Sequence, residues 1–498
     1  MSELSKVALW LCAFGLTTPL VKAQIQTVKA PTQYSGELGS YFSSSARTPF
    51  WLRSNEYGIV PLKSPAATAR FGLYSDYDSA KVANRKTDYG YGINLVGNIG
   101  PAGGVLLPEL YAKIRFNIFE IYAGRRREHF GLADTSLTSG SYAWSGNALP
   151  IPKIQISIPQ FTPLRFTKGW LSVMGTFAHG WMQPKGYVNH SLLHQKTLYF
   201  RLGRPHDVVR LYAGFNHQAI WGGESKELQR LGLTVGPTLP SSFRDYIYVV
   251  TGLLNKKDTT KLTNFDITNR VGNHLGTIDL GAEIDLVRYS LFLYRQNIYE
   301  DGSLFYLINI TDGLNGIRLR SSDANSFFRE VVFELLNTKS QGGPEFVIED
   351  PLKRGKDDYF NHSQFRDGWG YYGRGIGTPF IPPNMGPNDA NPKNPFTLNN
   401  RVTVWHLGIS GTLVPLKASF LESPVTYQTK LSISNSLGTY NFPFARPKNQ
   451  FSGIVSLIAP TTWLGGLNIR GSVAIDAGDL YPNSVGAYIG LQKVWQSK

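Results

Sequence analysis

The sequence predicts an all-β fold, a transmembrane antiparallel β-barrel of the outer membrane with about 18 strands. Three observations lead there. First, Ile278, Leu280, Ala282, Ile284 and Leu286 alternate one by one with Thr277, Asp279, Gly281, Glu283 and Asp285. Strand side chains point to opposite faces with period two, so one face is wholly apolar while the other carries three acids. Second, the same zigzag returns in Val402 to Leu413 and in Leu467 to Ile475, with no long helical interruption between. Third, the composition fits a lipid-facing band. Aromatics make up 13% and charged residues only 17% of the chain, with 51 Gly and 26 Tyr. A membrane barrel sets apolar side chains against lipid and polar ones toward the lumen, with aromatic girdles at both interfaces.

From its start, the chain reads as exported. Lys6, the apolar run Val7 to Leu16, and Val21-Lys22-Ala23 form a secretory signal over 1–23, with cleavage before Gln24. The lone cysteine, Cys12, lies inside that signal, so disulfides and thiolate metal sites are not expected. Residues 24–50 form a polar, Ser-rich segment, and Pro49-Phe50-Trp51 opens the barrel, expected over 51–498. Strands are expected at Ala69 to Ser75, Gly90 to Val96, Tyr111 to Asn117 with its return through Ile121, and Ile154 to Ile158. Further ones follow at Leu171 to Ala178, Thr197 to Leu202, Val209 to Phe215 and Tyr246 to Leu253. A long hairpin joins Leu275 to Leu286 with Tyr289 to Ile298, and then come Leu304 to Ile310, Gly316 to Arg320 and Phe328 to Leu336. The series ends with Val402 to Leu413, Tyr427 to Ile433, Phe451 to Leu457, Leu467 to Ile475 and Val485 to Trp495. A long loop at about 337–400 interrupts it; a segment of that length is usually a functional loop or lid.

The net charge is +15, which favours polyanionic partners. For an exported barrel these are acidic polysaccharide and lipid phosphates rather than nucleic acid. No cofactor is expected. The histidines His179, His190, His194, His206 and His217 are scattered rather than set at ligand spacing, so no metal site is expected.

Three clusters are candidate sites. Arg125, Arg126 and Arg127 could bind carboxylate or phosphate bidentately, or pair across the lumen with Asp279, Glu283 and Asp285. Trp144 and Asn147, in a loop rich in turn formers, offer a ring face and an amide to a sugar, or else a buried anchor for a turn. Arg366, Trp369, Tyr371 and Arg374 interleave cations with aromatics and suit the same contact.

Several short motifs occur in order: Gly124-Arg125-Arg126, Phe130-Gly131-Leu132, Leu137 to Ser141, Trp144-Ser145 and Asn147 to Pro150. Asp367-Gly368-Trp369, Gly375 to Phe380 and Asn399 to Val402 follow. In these the chain resembles the Wzi family of capsule-assembly outer-membrane proteins, in its Bacteroidetes-type branch. The resemblance implies a non-enzymatic, monomeric barrel of the outer membrane that binds exported polysaccharide and supports capsule assembly or attachment. A porin-like channel for sugars or other small solutes is the alternative.

Overall fold

The alternation is realised, in a computed structural model, as one closed antiparallel sheet. The structure describes residues 31–77, 87–253, 270–300, 303–347, 349–350, 353–384, 395–413 and 420–497. The expected signal at 1–23 lies outside the described residues.

The first barrel strands are β1 (Gln33–Ser43), β2 (Ala66–Ser75), β3 (Thr87–Ile99), β4 (Gly104–Phe116), β5 (Phe119–Arg125) and β6 (Lys153–Pro163). Next come β7 (Leu171–Trp181), β8 (Leu192–Leu202), β9 (Val209–Trp221), β10 (Asn273–Leu286), β11 (Tyr289–Glu300), β12 (Gly313–Ser321) and β13 (Glu330–Asn337). A two-residue ladder of β14 (Gly370–Tyr371) and β15 (Arg374–Gly375) stands apart from the barrel. The last five strands are β16 (Val402–Thr412), β17 (Thr426–Gly438), β18 (Pro443–Thr461), β19 (Leu467–Gly478) and β20 (Ser484–Gln496). Among the described residues, three short α-helices are α1 (Phe50–Arg53), α2 (Lys226–Arg230) and α3 (Phe243–Thr251).

The eighteen barrel strands pair in chain order, and β20 pairs with β1 to close the ring. Closure leaves no unpaired edge to satisfy, which is what a sheet in hydrocarbon requires. On β10, Ile278 and Leu280 are 45% and 52% exposed while Asp279 between them is fully buried. The apolar face therefore points outward and the acidic one into the lumen. Lumen polar groups pair with one another: Glu283 takes Arg210 at 3.1 Å and Arg318 at 3.2 Å. At the seam, Glu37 of β1 accepts Arg470 of β19 at 2.8 Å and also the Tyr488 hydroxyl of β20.

Three expectations need correction. The first barrel strand, β1, lies inside the segment 24–50, so the barrel begins before Trp51. Tyr246 to Leu253 is not a strand. It belongs mostly to α3, started by a reciprocal capping box between Ser242 and Asp245. Leu304 to Ile310 is a 3-10 turn at Ser303–Tyr306 followed by further turns, and the strand starts only at Gly313.

Helix α3 packs on the outer wall, with Tyr246 stacked on Trp221 at 5.2 Å and edge-on to His179 and His194 at 5.7 Å. His217 reaches His274 at 2.9 Å nearby. Histidines that look scattered in sequence are thus collected on one sector of the wall by strand register.

Val473, in the middle of the outer face of β19, is 58% exposed. Val473→Arg is expected to destabilise the barrel by about 2–4 kcal/mol, as a charge near the bilayer midplane does. Reversible folding into lipid vesicles measures it.

Candidate functional site: a filled mouth with a basic cavity

The two rims differ. One carries two-residue turns at 117–118 and 287–288; the other carries the connections 44–65, 126–152, 222–272, 301–312 and 338–401. Three of these long connections, 44–65, 126–152 and the described part of 338–401, fold into the lumen and share one aromatic core of Phe50, Trp51, Tyr142, Trp144, Trp369 and Phe380.

Wall carboxylates and amides hold this plug. Glu334 of β13 accepts the Thr138 hydroxyl at 2.7 Å, the Ser139 N–H at 2.6 Å and the Tyr294 hydroxyl at 2.6 Å. Asp279 of β10 accepts the Leu132 N–H at 2.9 Å and the Tyr199 hydroxyl at 2.8 Å. Gln296 accepts the Tyr142 N–H at 3.0 Å, and Glu300 accepts the Tyr142 hydroxyl at 2.6 Å. Leu137 presses on β16 where a Cβ on Gly408 would come within 2.7 Å of it, so only glycine fits there.

This arrangement relocates most of the predicted residues. Trp144 is 6% exposed and Trp369 fully buried; their rings meet edge-on at 6.3 Å, and Trp369 donates Nε1–H to the Ala143 carbonyl at 2.7 Å. Lys153 sits 4.9 Å from the Trp144 ring centroid and pairs with Glu128 at 2.7 Å. Tyr371 is buried too. These aromatics are the plug's core and not an exposed sugar platform; interior packing won over surface display because three loops had to bury their apolar groups together. Arg366 remains near the surface, over the Tyr187 ring at 5.2 Å.

The arginine triplet is divided as well. Arg126 pairs with Glu120 at 2.5 Å, Arg127 lies 3.5 Å from Glu109 and 2.9 Å from Asn94, and Arg125 reaches the Tyr371 hydroxyl at 3.4 Å. Pairing with Asp279, Glu283 and Asp285 does not occur. Asp279 is taken by the plug, and Arg210 and Arg318 hold Glu283, with Arg210 also on Asp285 at 2.7 Å.

Two predicted residues, Asn147 and Arg374, meet at a cavity of about 340 Å3 in the plug at the long-connection rim. Arg47, Arg53 and Lys63 join them there, and none of the described lining residues is acidic. Asn147 bridges the loops, donating to the Gly375 carbonyl at 3.0 Å and accepting the Asn55 N–H at 3.2 Å. Arg374 donates to the Val60 carbonyl, and Arg53 to the Thr48 carbonyl at 3.1 Å. Burial, together with the positive charge of Arg47, lowers the Arg53 pKa to about 10. Burial and the Arg53 charge lower that of Arg374 to about 9. Burial is the larger cause of both shifts, and a bound anion would offset it. Arg47, Arg53 and Lys63 were invisible in the sequence because three cations spaced six and ten residues apart in a turn-rich stretch look like ordinary solvated charge.

The family model described as capsule assembly protein Wzi matches residues 29–380. The chain belongs to the Wzi capsule-assembly family. Among solved structures, this Wzi-family barrel is similar to the Wzi of Escherichia coli, an outer-membrane protein involved in group 1 capsule assembly and itself a carbohydrate-binding β-barrel. Identity is 12%, with 92% of this chain and 84% of that one covered, at a TM-score of 0.55. It is also similar to Pseudomonas aeruginosa OccK5, at 10% identity, 94% and 99% coverage and a TM-score of 0.46. No curated protein matches. Family and fold together make the Wzi-family chain a protein of the outer membrane.

Proposed function

We propose that this barrel binds exported acidic polysaccharide at the cell surface and supports capsule assembly or attachment, without enzymatic turnover. The basic cavity carries this reading: Arg47, Arg53, Lys63 and Arg374 converge around Asn147 with no acidic partner among the described lining residues. Outer-membrane barrels keep short turns on the periplasmic side and longer loops outside, so the cavity opens toward the surface layer. A sugar carboxylate or phosphate would accept from the guanidiniums, bidentately where the geometry allows, while Asn147 orients a hydroxyl. Each contact is weak, but a long polymer presents its repeat many times and so dissociates slowly. Trp144, Trp369 and Tyr371 serve the cavity indirectly, by fixing the loops that carry it. A solute channel is the second reading; the three connections filling the lumen speak against it.

The double variant Arg47→Ala/Lys63→Ala spares the two half-buried guanidiniums of Arg53 and Arg374. It is expected to weaken binding of an acidic capsular polysaccharide at least tenfold, while binding of the wild type falls with added salt. Titration with the polymer and with its carboxyl-reduced form measures both effects. Equal binding of the two polymer forms by wild type would overturn the reading.

A further inference from the structure

We propose that the outer wall of β10–β16 holds a phosphorylated lipid of the outer leaflet, with its headgroup on Arg295 and an acyl chain in the groove beneath. This inference goes beyond the polysaccharide reading and does not depend on it.

A polar line runs around this sector of the outer face. Arg295, Asn315, Asn337, Thr403 and Asn435 occupy outward positions on successive strands β11, β12, β13, β16 and β17. Just toward the short-turn rim the outward positions become apolar: Leu293, Ile317, Phe333 and Trp405 are 38%, 47%, 42% and 51% exposed. The line therefore marks the upper edge of the lipid band, on the side of the long connections. Directly below it lies an apolar groove of about 540 Å3, lined by those four side chains and bordered by Arg295 and Asn315.

Arg295 is an unusual residue for this position. It donates to Asn297 Oδ1 at 2.7 Å, to Asn315 Oδ1 at 2.6 Å, and to the carbonyls of Ile310 and Asp312. Every one of these acceptors is a neutral oxygen, and the nearby Asp312 carboxylate is taken by the Ser340 and Gln341 N–H groups and the Tyr359 hydroxyl, so among the described residues the guanidinium is fixed in orientation without an ion pair. A charge at the edge of hydrocarbon is costly unless something pairs with it. Lipid phosphates lie at this depth, and a guanidinium matches phosphate geometry. Farther along the same rim, Lys196 donates to the Val250 carbonyl. The groove itself supplies shape only, because an acyl chain leaving bulk lipid is already in an apolar surrounding. Selectivity must then come from the phosphate.

The test is native mass spectrometry of the intact barrel in detergent, offered lipid A with its phosphates and the same lipid dephosphorylated. Wild type is expected to retain the phosphorylated form at least tenfold better. Arg295→Ala should reduce that retention at least tenfold, Arg295→Lys should keep part of it, and Trp405→Ala should leave the preference for the phosphorylated form in place. Ile475→Ala, on the wall of β19, should change nothing. Equal retention of the two lipids by wild type overturns the proposal without reference to any variant. Unchanged retention by Arg295→Ala does so as well. Sedimentation as a dimer that Trp405→Ala disperses would instead give the groove to a second copy of the chain.

Discussion

Trp369→Ala is expected to lower the stability of the plug by about 3–5 kcal/mol, the usual cost of deleting a buried indole. The side chain is wholly enclosed, packs against Trp144 at 6.3 Å, and ties 338–401 to 126–152 through its bond to the Ala143 carbonyl at 2.7 Å. No neighbouring element can close over the space, because the surrounding loops are held to the wall at fixed points. The barrel itself should persist, since its strand pairing does not involve Trp369. Two measurements separate these levels. Heat-modifiable migration should stay as in wild type, and conductance in planar bilayers should rise from near silence to sustained openings. A variant as silent as wild type, with unchanged thermal unfolding, would show that the ring is not what keeps the loops lodged.

Glu334→Ala should be comparably damaging by a different route. Three donors converge on this fully buried carboxylate: Thr138, the Ser139 N–H and Tyr294. A hydrogen bond to a charged group contributes about 1.5–3 kcal/mol, and a buried donor left without an acceptor adds its own desolvation cost, so the loss is on the order of 5 kcal/mol. Glu334→Gln keeps an acceptor of the same shape and should fall between. Limited proteolysis within 126–152 reads the effect directly: cleavage should be fastest in the alanine variant, slower in the glutamine one and slowest in wild type. Equal rates in all three would mean that the segment is anchored elsewhere.

The barrel is legible in the sequence wherever the outer face is richly apolar. The alternation from Thr277 to Leu286 marks its strand because Ile278, Leu280, Ile284 and Leu286 all meet lipid while Asp279 and Glu283 turn inward. β1 hides because its outward set, Tyr34, Gly36, Leu38, Ser40 and Phe42, is half small or polar, a composition that suggests a linker. Helix α3 is masked by the β-favouring run Tyr246-Ile247-Tyr248-Val249-Val250, although Ser242 and Asp245 stand at capping-box spacing just before it. At the site, the residue types are readable but their burial is not. Trp144, Trp369 and Tyr371 look the same in sequence whether they face a glycan or each other. Only the meeting of three distant connections decides between those outcomes, and that meeting is non-local. Asn147 and Arg374 are legible as polar candidates, but the cations Arg47, Arg53 and Lys63 that give their cavity its charge come from a stretch with no periodic pattern at all.

The anchors that fasten 126–152 come from one arc of the ring that follows it far along the chain: Asp279 and Gln296 on β10 and β11, Glu334 on β13, and His406 on β16, which meets the Leu137 carbonyl at 2.7 Å. During biogenesis these residues are made long after the segment that needs them. That segment must wait, unlodged, until the later strands have joined the growing cylinder, so the stopper can seat only in a pore that is nearly finished.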